Sequence, residues 1–252
     1  MTRKIALITG ASRGLGKSTA LHLAAQGVDI IGTYNSRADD AQAVAAQIEK
    51  LGGRAAMLQL DVGLIDGFKA FSESVAQVLA TVFGREHFDF LVNNAGVGVH
   101  ALFADTSEEQ FDQLLNVHFK GPFFLTQKLL PLLADGGRIV NISSGLARFS
   151  LPGYATYAAM KGAMETLTRY QAKELGARGI SVNCLAPGAI ETDFGGGGVR
   201  DNKDLNAFVA ANTALGRAGL PDDIGGAIAL LLSDAGQWIT GQRIEASGGM
   251  FL

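Results

Sequence analysis

The sequence predicts an α/β domain in which short buried strands alternate with helices. Three observations indicate this fold class. The chain has 252 residues, of which 48% are hydrophobic, enough for one sizeable core. Short continuous apolar runs such as Ile5–Ile8 are typical of strands that are buried on both faces. Segments with helical spacing of apolar residues separate these runs, so we expect a single domain over residues 1–252.

Charge and composition exclude several classes of function. The net charge is −3 and like charges form no block, so neither nucleic acid nor a membrane surface is an expected partner. No apolar run reaches membrane-spanning length, and the first strand leaves no room for a signal peptide, so we expect a cytoplasmic protein. The single cysteine, Cys184, rules out an internal disulfide and a cysteine metal cluster.

A glycine-rich turn follows the first strand and precedes a helix that ends at Gly27. This layout places backbone N–H groups and a helix N-terminus against a pyrophosphate. The glycines are Gly10, Gly14 and Gly16, with the spacing Gly-x3-Gly-x-Gly. Because this departs from Gly-x-Gly-x-x-Gly, the motif alone supports nucleotide binding only moderately. A tight turn with close helix packing is the alternative.

The second predicted strand, Val28–Thr33, indicates which coenzyme binds. In NAD-binding folds an acidic residue at this strand end binds the ribose 2′-hydroxyl, whereas arginine and small polar groups bind a 2′-phosphate. No acidic residue appears here before Asp39. We therefore predict NADP(H) in preference to NAD, with a phosphate pocket formed by Arg13, Asn35, Ser36 and Arg37. The alternative is that both arginines are merely solvated.

Two further strand ends contribute candidate contacts. The third strand, residues 55–60, ends at Asp61-Val62, where the carboxylate can accept a hydrogen bond from an adenine amino group. The fourth strand, residues 90–92, precedes Asn93–Gly96, whose small residues allow a ligand to approach the backbone. Asn94 could equally be a turn former. Helices are predicted over residues 39–51 and 65–83.

A capping box at Ser107 and Gln110 begins a long helix, residues 108–133, that is interrupted around Gly121-Pro122. Asn116 lies inside this helix, where asparagine is unfavourable, so we expect a local kink or an ordered water at its backbone. Two neighbours are expected to be core or surface contacts rather than catalysts: His118 and Lys120.

Two hydroxyl groups and an amine are predicted to meet after the fifth strand, residues 138–142. That strand ends at Ser143-Ser144, and consecutive side chains point opposite ways, so only one serine can face the cleft. A helix over residues 154–170 carries Tyr157 and Lys161 four positions apart, on one face. The ammonium then lies beside the phenol oxygen and favours phenolate. Alone, such a pair is most often solvated.

The rest of the chain is predicted to complete the sheet and to cover the site. The last two strands are expected at residues 179–185 and 243–246, with a helix over residues 221–233 between them. Four consecutive glycines, Gly195–Gly198, indicate a flexible loop. We expect a lid within a flexible substrate loop near residues 191–215; an ordinary loop is the alternative.

In combination and in order, these motifs resemble the short-chain dehydrogenase/reductase family in its one-domain form. Any one motif is weak, but all of them at compatible spacing, from Ile5 to the C-terminus, are specific. The motifs are Thr9–Gly16, Asp61-Val62, Asn93–Gly96, Asn116, Ser144, Tyr157-x3-Lys161 and Pro187-Gly188 with Thr192.

The resemblance implies a doubly wound, seven-stranded parallel sheet and a catalytic tetrad of Asn116, Ser144, Tyr157 and Lys161, with no metal. In the family the tyrosine is general acid in ketone reduction and base in alcohol oxidation, and the serine polarises the carbonyl. The lysine lowers the tyrosine pKa and holds the nicotinamide ribose, and the asparagine keeps a water in the proton relay. Homotetramers are usual. The implied coenzyme contacts are Gly10, Ser12, Arg13, Gly14, Leu15, Gly16, Asn35, Ser36, Arg37, Asp61, Val62, Asn94, Ala95, Gly96, Tyr157, Lys161, Pro187, Gly188, Ile190 and Thr192.

Within the family the chain resembles β-ketoacyl carrier-protein reductases in its glycine turn and in residues 247–252. Two basic positions dock the acidic carrier in those enzymes; Arg178 is kept, but the other is Asp135, which should slow the encounter. We therefore expect a small apolar or aryl ketone, or the matching alcohol, as substrate. The alternatives are a 3-oxoacyl carrier-protein reductase and a regulator that binds the coenzyme without turnover, against which the intact tetrad argues. The candidate pocket residues are Leu146, Phe149, Phe194, His100 and Phe103.

Overall fold

The computed structural model describes residues 3–252, which contain one sheet of seven parallel strands. The strands are β1 Ile5–Ile8, β2 Asp29–Tyr34, β3 Ala55–Gln59, β4 Phe88–Asn93, β5 Leu133–Ile142, β6 Ser181–Pro187 and β7 Arg243–Ala246. Their order is β3-β2-β1-β4-β5-β6-β7, so the direction of winding reverses between β1 and β4. In such sheets a ligand crevice opens outside the carboxyl ends of the strands at the reversal.

Helices cover both faces of the sheet. They are α1 Gly14–Ala25, α2 Ala38–Lys50, α3 Phe68–Val78, α4 Glu108–Leu115, α5 Gly121–Leu129, α6 Ala155–Leu175, α7 Gly198–Asp201, α8 Lys203–Ala211 and α9 Pro221–Leu232. Helices α1, α2 and α9 pack on one face, and α3, α5 and α6 pack on the other. Within residues 3–252, no helix combines the length and apolar character needed to cross a bilayer.

Strand β1 illustrates how the sequence produces these two layers. Its side chains alternate between the faces: Ala6 and Ile8 join the core beneath α1 and α9, whereas Ile5 and Leu7 join the core beneath α3 and α5. All four side chains are fully buried. Each of the larger ones contributes about 1.5–3 kcal/mol to folding. The predicted doubly wound, seven-stranded parallel sheet is confirmed.

The helical region after β4 differs from its prediction in two details, the first of which is that α5 ends at Leu129 and residue 133 already belongs to β5. The capping box is present, with Gln110 N donating to Ser107 Oγ at 3.3 Å and Ser107 N donating to Gln110 Oε1 at 3.0 Å. The interruption, however, is one turn of π-helix at Asn116–Lys120, and Gly121-Pro122 begins α5. Proline is tolerated there because the first turn of a helix requires no hydrogen bond from its nitrogen. The predicted kink at Asn116 is thus the π-turn.

Residues 191–215, the predicted substrate loop, contain turns and the helices α7 and α8. Gly195, Gly196 and Gly197 have φ values of +60°, +78° and +81°. This region of backbone conformation favours glycine, because a Cβ atom would clash with the chain. The chain kinks at these glycines, and side chains of α7 and α8, which follow, line the cavity described below. Flexibility of this loop stays a prediction.

Candidate active site

A cavity of about 460 Å³ opens at the carboxyl edge of the sheet. Two predicted site residues, Gly16 and Asn116, do not line it. The others do: Gly10, Ser12, Arg13, Gly14, Leu15, Asn35, Ser36, Arg37, Asp61, Val62, Asn94, Ala95, Gly96, Ser144, Tyr157, Lys161, Pro187, Gly188, Ile190 and Thr192. The folded chain therefore brings together residues that the sequence separates by up to 182 positions, from Gly10 to Thr192.

Close helix packing and side-chain hydrogen bonds hold the glycine turn in place. A Cβ atom on Gly16 would lie 2.2 Å from Gly10 O, so only glycine allows α1 to pack this closely. Gly10 and Gly14 have φ values of +69° and +53°, which favour glycine. Asn94 Nδ2 donates to Thr9 O at 2.8 Å and to Gly10 O at 3.2 Å, which joins the turn to the end of β4. Close helix packing, the alternative interpretation of this motif, is present, and the side chain of Asn94 holds the turn that follows β1 rather than forming a turn of its own.

The N-terminus of α1 is suited to an anion. Its N-cap residue is Arg13, and no side chain within residues 3–252 caps it. The backbone N–H groups of the first helical turn have no partner inside the helix, and the helix dipole adds partial positive charge there. Because Ser12–Leu15 line the cavity, this end of it can hold a pyrophosphate.

Two arginines converge on an aspartate at the edge of the cavity. Arg13 Nη1 lies 3.2 Å from Asp193 Oδ2, and Arg37 Nη1 lies 4.0 Å from the same oxygen. Both arginines are therefore in ion pairs rather than merely solvated. Close by, Asn35 Nδ2 donates to Asp61 Oδ2 at 3.5 Å. This cluster combines the cations and small polar groups that a 2′-phosphate requires.

The two consecutive serines at the end of β5 have different partners. Ser143 is buried, and its hydroxyl donates to Glu165 Oε1 at 2.7 Å. Ser144 Oγ accepts a hydrogen bond from Leu146 N at 3.2 Å, and its hydroxyl is close enough to the phenol of Tyr157 to lower the pKa of that group. The serine beside the tyrosine is Ser144, in agreement with its alternation along the strand.

A series of ion pairs, which we name the charge chain, supports the end of β5 that carries the two serines. Glu165, the acceptor for Ser143, lies 2.6 Å from Arg243 Nε on β7. Arg243 Nη1 is 2.9 Å from Glu245, which is 2.7 Å from Arg148 Nη2. The Arg148 guanidinium lowers the pKa of Glu245 to about 2. The charge chain joins α6, β7 and the loop after β5.

Tyr157 and Lys161 are buried side by side on α6. Lys161 Nζ lies 5.4 Å from the centroid of the phenol ring and donates to Ile142 O at 2.8 Å. Burial raises the pKa of Tyr157, and the nearby Ser144 hydroxyl opposes this rise. Burial also lowers the pKa of Lys161 to about 8, which leaves the amine charged at pH 7. Desolvation therefore outweighs the lowering of the tyrosine pKa that the lysine was expected to cause.

His118 is a buried neighbour of Tyr157 that sequence reasoning assigned only a packing role. The two rings meet edge to face, with centroids 5.0 Å apart and planes at 86°. His118 Nε2 is 2.7 Å from Val97 O, and among residues 3–252 its Nδ1 has no hydrogen-bond partner. Burial and the Lys161 cation lower the pKa of His118 to about 3, so the ring is neutral at pH 7.

The other end of the cavity is apolar. Of the five predicted pocket residues, Leu146, Phe149 and Phe194 line it. His100 and Phe103 do not, so their prediction is wrong: the His100 ring meets Tyr154 edge to face with centroids 5.1 Å apart, and Phe103 is 87% exposed. Phe194 lies 5.7 Å from Tyr157, centroid to centroid. The remaining members of this apolar wall are Leu151, Tyr154, Val199, Leu205, Phe208, Val209 and Met250.

Comparison with known proteins identifies the family. A family model described as enoyl-(acyl carrier protein) reductase matches residues 10–251. The chain belongs to the short-chain dehydrogenase/reductase family. The predicted family is therefore confirmed, and with it the class of NAD(P)-dependent oxidoreductases that act on CH–OH groups.

Several members of the short-chain dehydrogenase/reductase family match over almost the full chain. LugOII, a promiscuous reductase that catalyses keto-reduction at C1 during lugdunomycin biosynthesis, is 39% identical with a TM-score of 0.94, over 100% of this chain and 99% of its own. The angucycline C-6 ketoreductase LanV, solved with bound NADP, is 36% identical with a TM-score of 0.93, over 98% and 95%. The tetrahydroxynaphthalene reductase PfmaG of Pestalotiopsis fici is 35% identical over 98% of this chain and 91% of its own.

Asp135 occupies one of the two positions that are basic in the carrier-protein reductases that this chain resembles. Arg178 Nε donates to Asp135 Oδ1 at 2.7 Å, and Arg178 Nη1 donates to Leu130 O at 3.0 Å. The aspartate therefore removes one basic position and also neutralises the other. A guanidinium engaged in this way is a poor site for an acidic protein partner.

Two residues of the site could not be assigned a role there from sequence patterns alone. Asp193 follows the predicted contact Thr192 directly, but only the fold brings it to Arg13. His118 follows Asn116 by two positions, and the π-turn that carries both residues aims its ring at Tyr157. A π-turn has no reliable sequence pattern beyond an unfavourable residue in a helix.

Proposed function

We propose that this protein reduces the ketone of an aromatic or polycyclic compound, with NADPH as coenzyme and Tyr157 as general acid. The observation that carries the proposal is that two hydroxyl groups, those of Ser144 and Tyr157, line one cavity together with the Lys161 cation, whose Nζ lies 5.4 Å from the centroid of the phenol ring. This group lies between the glycine turn and the apolar wall of one cavity. Two hydroxyl donors at one substrate oxygen stabilise the negative charge that forms when a carbonyl is reduced.

The residues at the glycine turn fit a dinucleotide coenzyme with a 2′-phosphate. The uncapped N-terminus of α1 suits a pyrophosphate, and Arg13 and Arg37, with Asn35 and Ser36, suit the phosphate on the ribose. The NADP-bound relative LanV and a 34% identical blue fluorescent protein in complex with NADPH support this preference. When bound, the coenzyme supplies the hydride. The other proposed contacts are Asp61, Val62, Asn94, Ala95, Gly96, Pro187, Gly188, Ile190 and Thr192.

The proposed proton transfer uses three buried side chains. Tyr157 keeps its proton until negative charge develops on the substrate oxygen, because burial raises its pKa. Lys161, which is charged below pH about 8, then stabilises the phenolate, while Ser144 donates a hydrogen bond to the same substrate oxygen. In alcohol oxidation the same groups act in reverse. Asn116, which begins the π-turn outside the cavity lining, stays the proposed holder of a relay water.

The proposed substrate is a free aromatic ketone. The apolar wall offers several aromatic rings, which suit a flat ring system better than a flexible acyl chain. The ketoreductase LanV and the tetrahydroxynaphthalene reductase PfmaG support this class. The ion pair of Arg178 with Asp135 argues against an acyl carrier protein as partner. Residues 191–215 are the proposed substrate loop within one domain of 252 residues.

Steady-state oxidation of NADPH with a panel of ketones tests the proposal. Bicyclic aromatic ketones such as tetralones should be reduced faster than acyl thioesters, and NADPH should be used more efficiently than NADH. A preference for an acyl carrier thioester would favour the carrier-protein alternative. Tight NADPH binding without turnover of any ketone would favour the second candidate, a regulator that senses the coenzyme.

We also propose that the protein is a homotetramer, as is usual for relatives with this fold. Large apolar side chains are exposed on α6 and near the C-terminus, where Trp238 is 94% and Leu252 95% exposed, with Tyr170 also exposed. Such side chains are commonly buried against a second copy of the chain. Light scattering combined with size-exclusion chromatography would give four times the chain mass; a monomeric mass would contradict the proposal.

A further inference from the structure

Asp193 is an anion at the place where the coenzyme phosphate is proposed to bind. Its carboxylate faces three guanidinium groups, those of Arg13 at 3.2 Å, Arg37 at 4.0 Å and Arg200 in direct contact. Arg13 and Arg37 are the two cations of the proposed phosphate pocket. The ion pairs therefore use the same donors that a ribose 2′-phosphate needs.

The backbone around Asp193 explains how its carboxylate contacts both Arg200 and the proposed phosphate pocket. Asp193 precedes the turn Phe194–Gly197, in which three glycines with positive φ kink the chain. Beyond this kink, Arg200 of α7 contacts Asp193. Gly197 has a φ of +81°, a backbone conformation that favours glycine. Asp193 thus connects the proposed substrate loop to the coenzyme end of the cavity.

We propose that Asp193 is a coenzyme-discriminating residue that competes with the 2′-phosphate of NADPH for Arg13 and Arg37. The proposal rests on the proposed use of NADPH. A phosphate dianion and a carboxylate cannot both take the same guanidinium donors without repelling each other. Asp193 therefore weakens NADPH binding, whereas NADH has no phosphate at this position and leaves the ion pairs intact. Arg200 keeps a partner for Asp193 when the two other arginines turn to the phosphate.

The neighbouring acids do not share this arrangement. Among the described residues, Asp40 pairs with Arg37 alone, at 3.3 Å, and does not line the cavity. Asp201 accepts from Arg200 Nε at 2.7 Å and, among residues 3–252, forms no ion pair with Arg13 or Arg37. Asp201 therefore provides a matched control: it has the same charge and the same partner on α7, but it is not engaged with the proposed phosphate pocket.

The test compares Asp193→Asn with Asp201→Asn in the full-length protein. Isothermal titration calorimetry measures binding of NADPH, NADH and adenosine 2′,5′-bisphosphate, which carries the ribose phosphate without a nicotinamide. We expect D193N to bind NADPH and the bisphosphate about three- to tenfold more tightly, as loss of exposed ion pairs allows, with NADH affinity unchanged. We expect D201N to match the wild type. The gain should shrink at high salt, because these groups are half-exposed.

Other outcomes distinguish a failure of the proposed NADPH preference from a failure of the proposed role of Asp193. If the wild type binds NADPH no more tightly than NADH, the proposed NADPH preference fails. If the wild type prefers NADPH but D193N is unchanged, or binds it more weakly, the role of Asp193 alone is wrong. An equal gain in D193N and D201N would indicate a general charge effect and would also overturn the inference. Thermal melting of both variants verifies that each is folded, as expected for exposed positions.

Discussion

The two ends of the cavity are built in different ways. At the glycine-turn end, the ligand surface is mainly backbone and charge: strand ends, a helix N-terminus and arginines at Arg13 and Arg37. At the apolar end, it is mainly side chains from the loop after β5, from α7 and α8, and from Met250 near the C-terminus. Three residues of the proposed catalytic tetrad line this cavity between the two ends: Ser144, Tyr157 and Lys161.

This difference has a functional consequence. A backbone surface depends on a few glycines and strand ends, so it tolerates little variation and serves one constant ligand. A side-chain surface can change residue by residue without disturbing the sheet, because it rests on elements outside the strands. Within one cavity, the coenzyme end is thus restricted by the fold, whereas the substrate end is open to specialisation.

The largest expected effect lies at the junction of the two ends. Tyr157→Phe removes the proposed proton donor, so kcat for ketone reduction should fall about 10²- to 10⁴-fold, the usual contribution of general acid catalysis. NADPH affinity, measured by titration, should stay nearly unchanged, because the glycine turn is untouched. Tyr154→Phe is the control, since Tyr154 lines the cavity and its ring meets His100 edge to face. Retained activity in Y157F would contradict the assignment.

The next largest effect should be confined to the coenzyme end. Gly16→Ala places a Cβ atom 2.2 Å from Gly10 O, and such overpacking typically costs about 1–3 kcal/mol. The dissociation constant of NADPH should rise about ten- to a hundredfold, with a lower melting temperature. Gly162→Ala on α6 is the control, because a Cβ atom there meets nothing within 4 Å. Equal behaviour of the two variants would show that the turn is not sterically restricted.

The pH dependence of kcat/KM tests the role of Lys161, which lies at the junction of the two ends. The amine of Lys161 is charged below pH about 8 and neutral above it, so kcat/KM for ketone reduction should fall about tenfold per pH unit above 8. Lys161→Arg should remove this step, whatever its residual rate. No step from His118 is expected between pH 5 and 8, because its pKa is about 3. A wild-type profile that is flat to pH 10 would refute this role of Lys161.

Stability should respond to the same lysine in the opposite direction. Its pKa is lowered from 10.5 to about 8 in the folded protein. Between these values the unfolded chain binds more protons than the folded chain, so the contribution of Lys161 to the free energy of unfolding increases as the pH rises. Denaturant titrations of the wild type and Lys161→Arg at pH 8 and pH 10 isolate this contribution.

The smallest effect is expected at the apolar end. Phe194→Ala should raise KM for an aromatic ketone about three- to tenfold, less than a fully buried phenylalanine would give, because Phe194 is 43% exposed. Coenzyme affinity should not change. Phe103→Ala, at an exposed position outside the cavity, should behave as the wild type does. An equal rise of KM in both variants would show that Phe194 is not part of the substrate surface.

The sequence predicted these two ends unequally, for a physical reason. Gly10, Asp61 and Ser144 follow strands directly, and in a parallel sheet the carboxyl ends of strands meet at one edge, so local patterns place them. The apolar wall depends on how residues 194–209 pack against the rest of the chain, and no local pattern specifies that. His100 and Phe103 were therefore misplaced, while Phe208 and Met250 were not anticipated.

The charge chain links catalytic competence to the order of synthesis. Its central members, Arg243 and Glu245, belong to β7, which emerges from the ribosome after all other strands. Until β7 docks, Glu165 and Arg148 lack their ion-pair partners on that strand. The charge chain then does not support the end of β5 that carries the two serines. A nascent chain can therefore assemble the coenzyme half of the sheet first, and the charge chain is completed only when β7 docks.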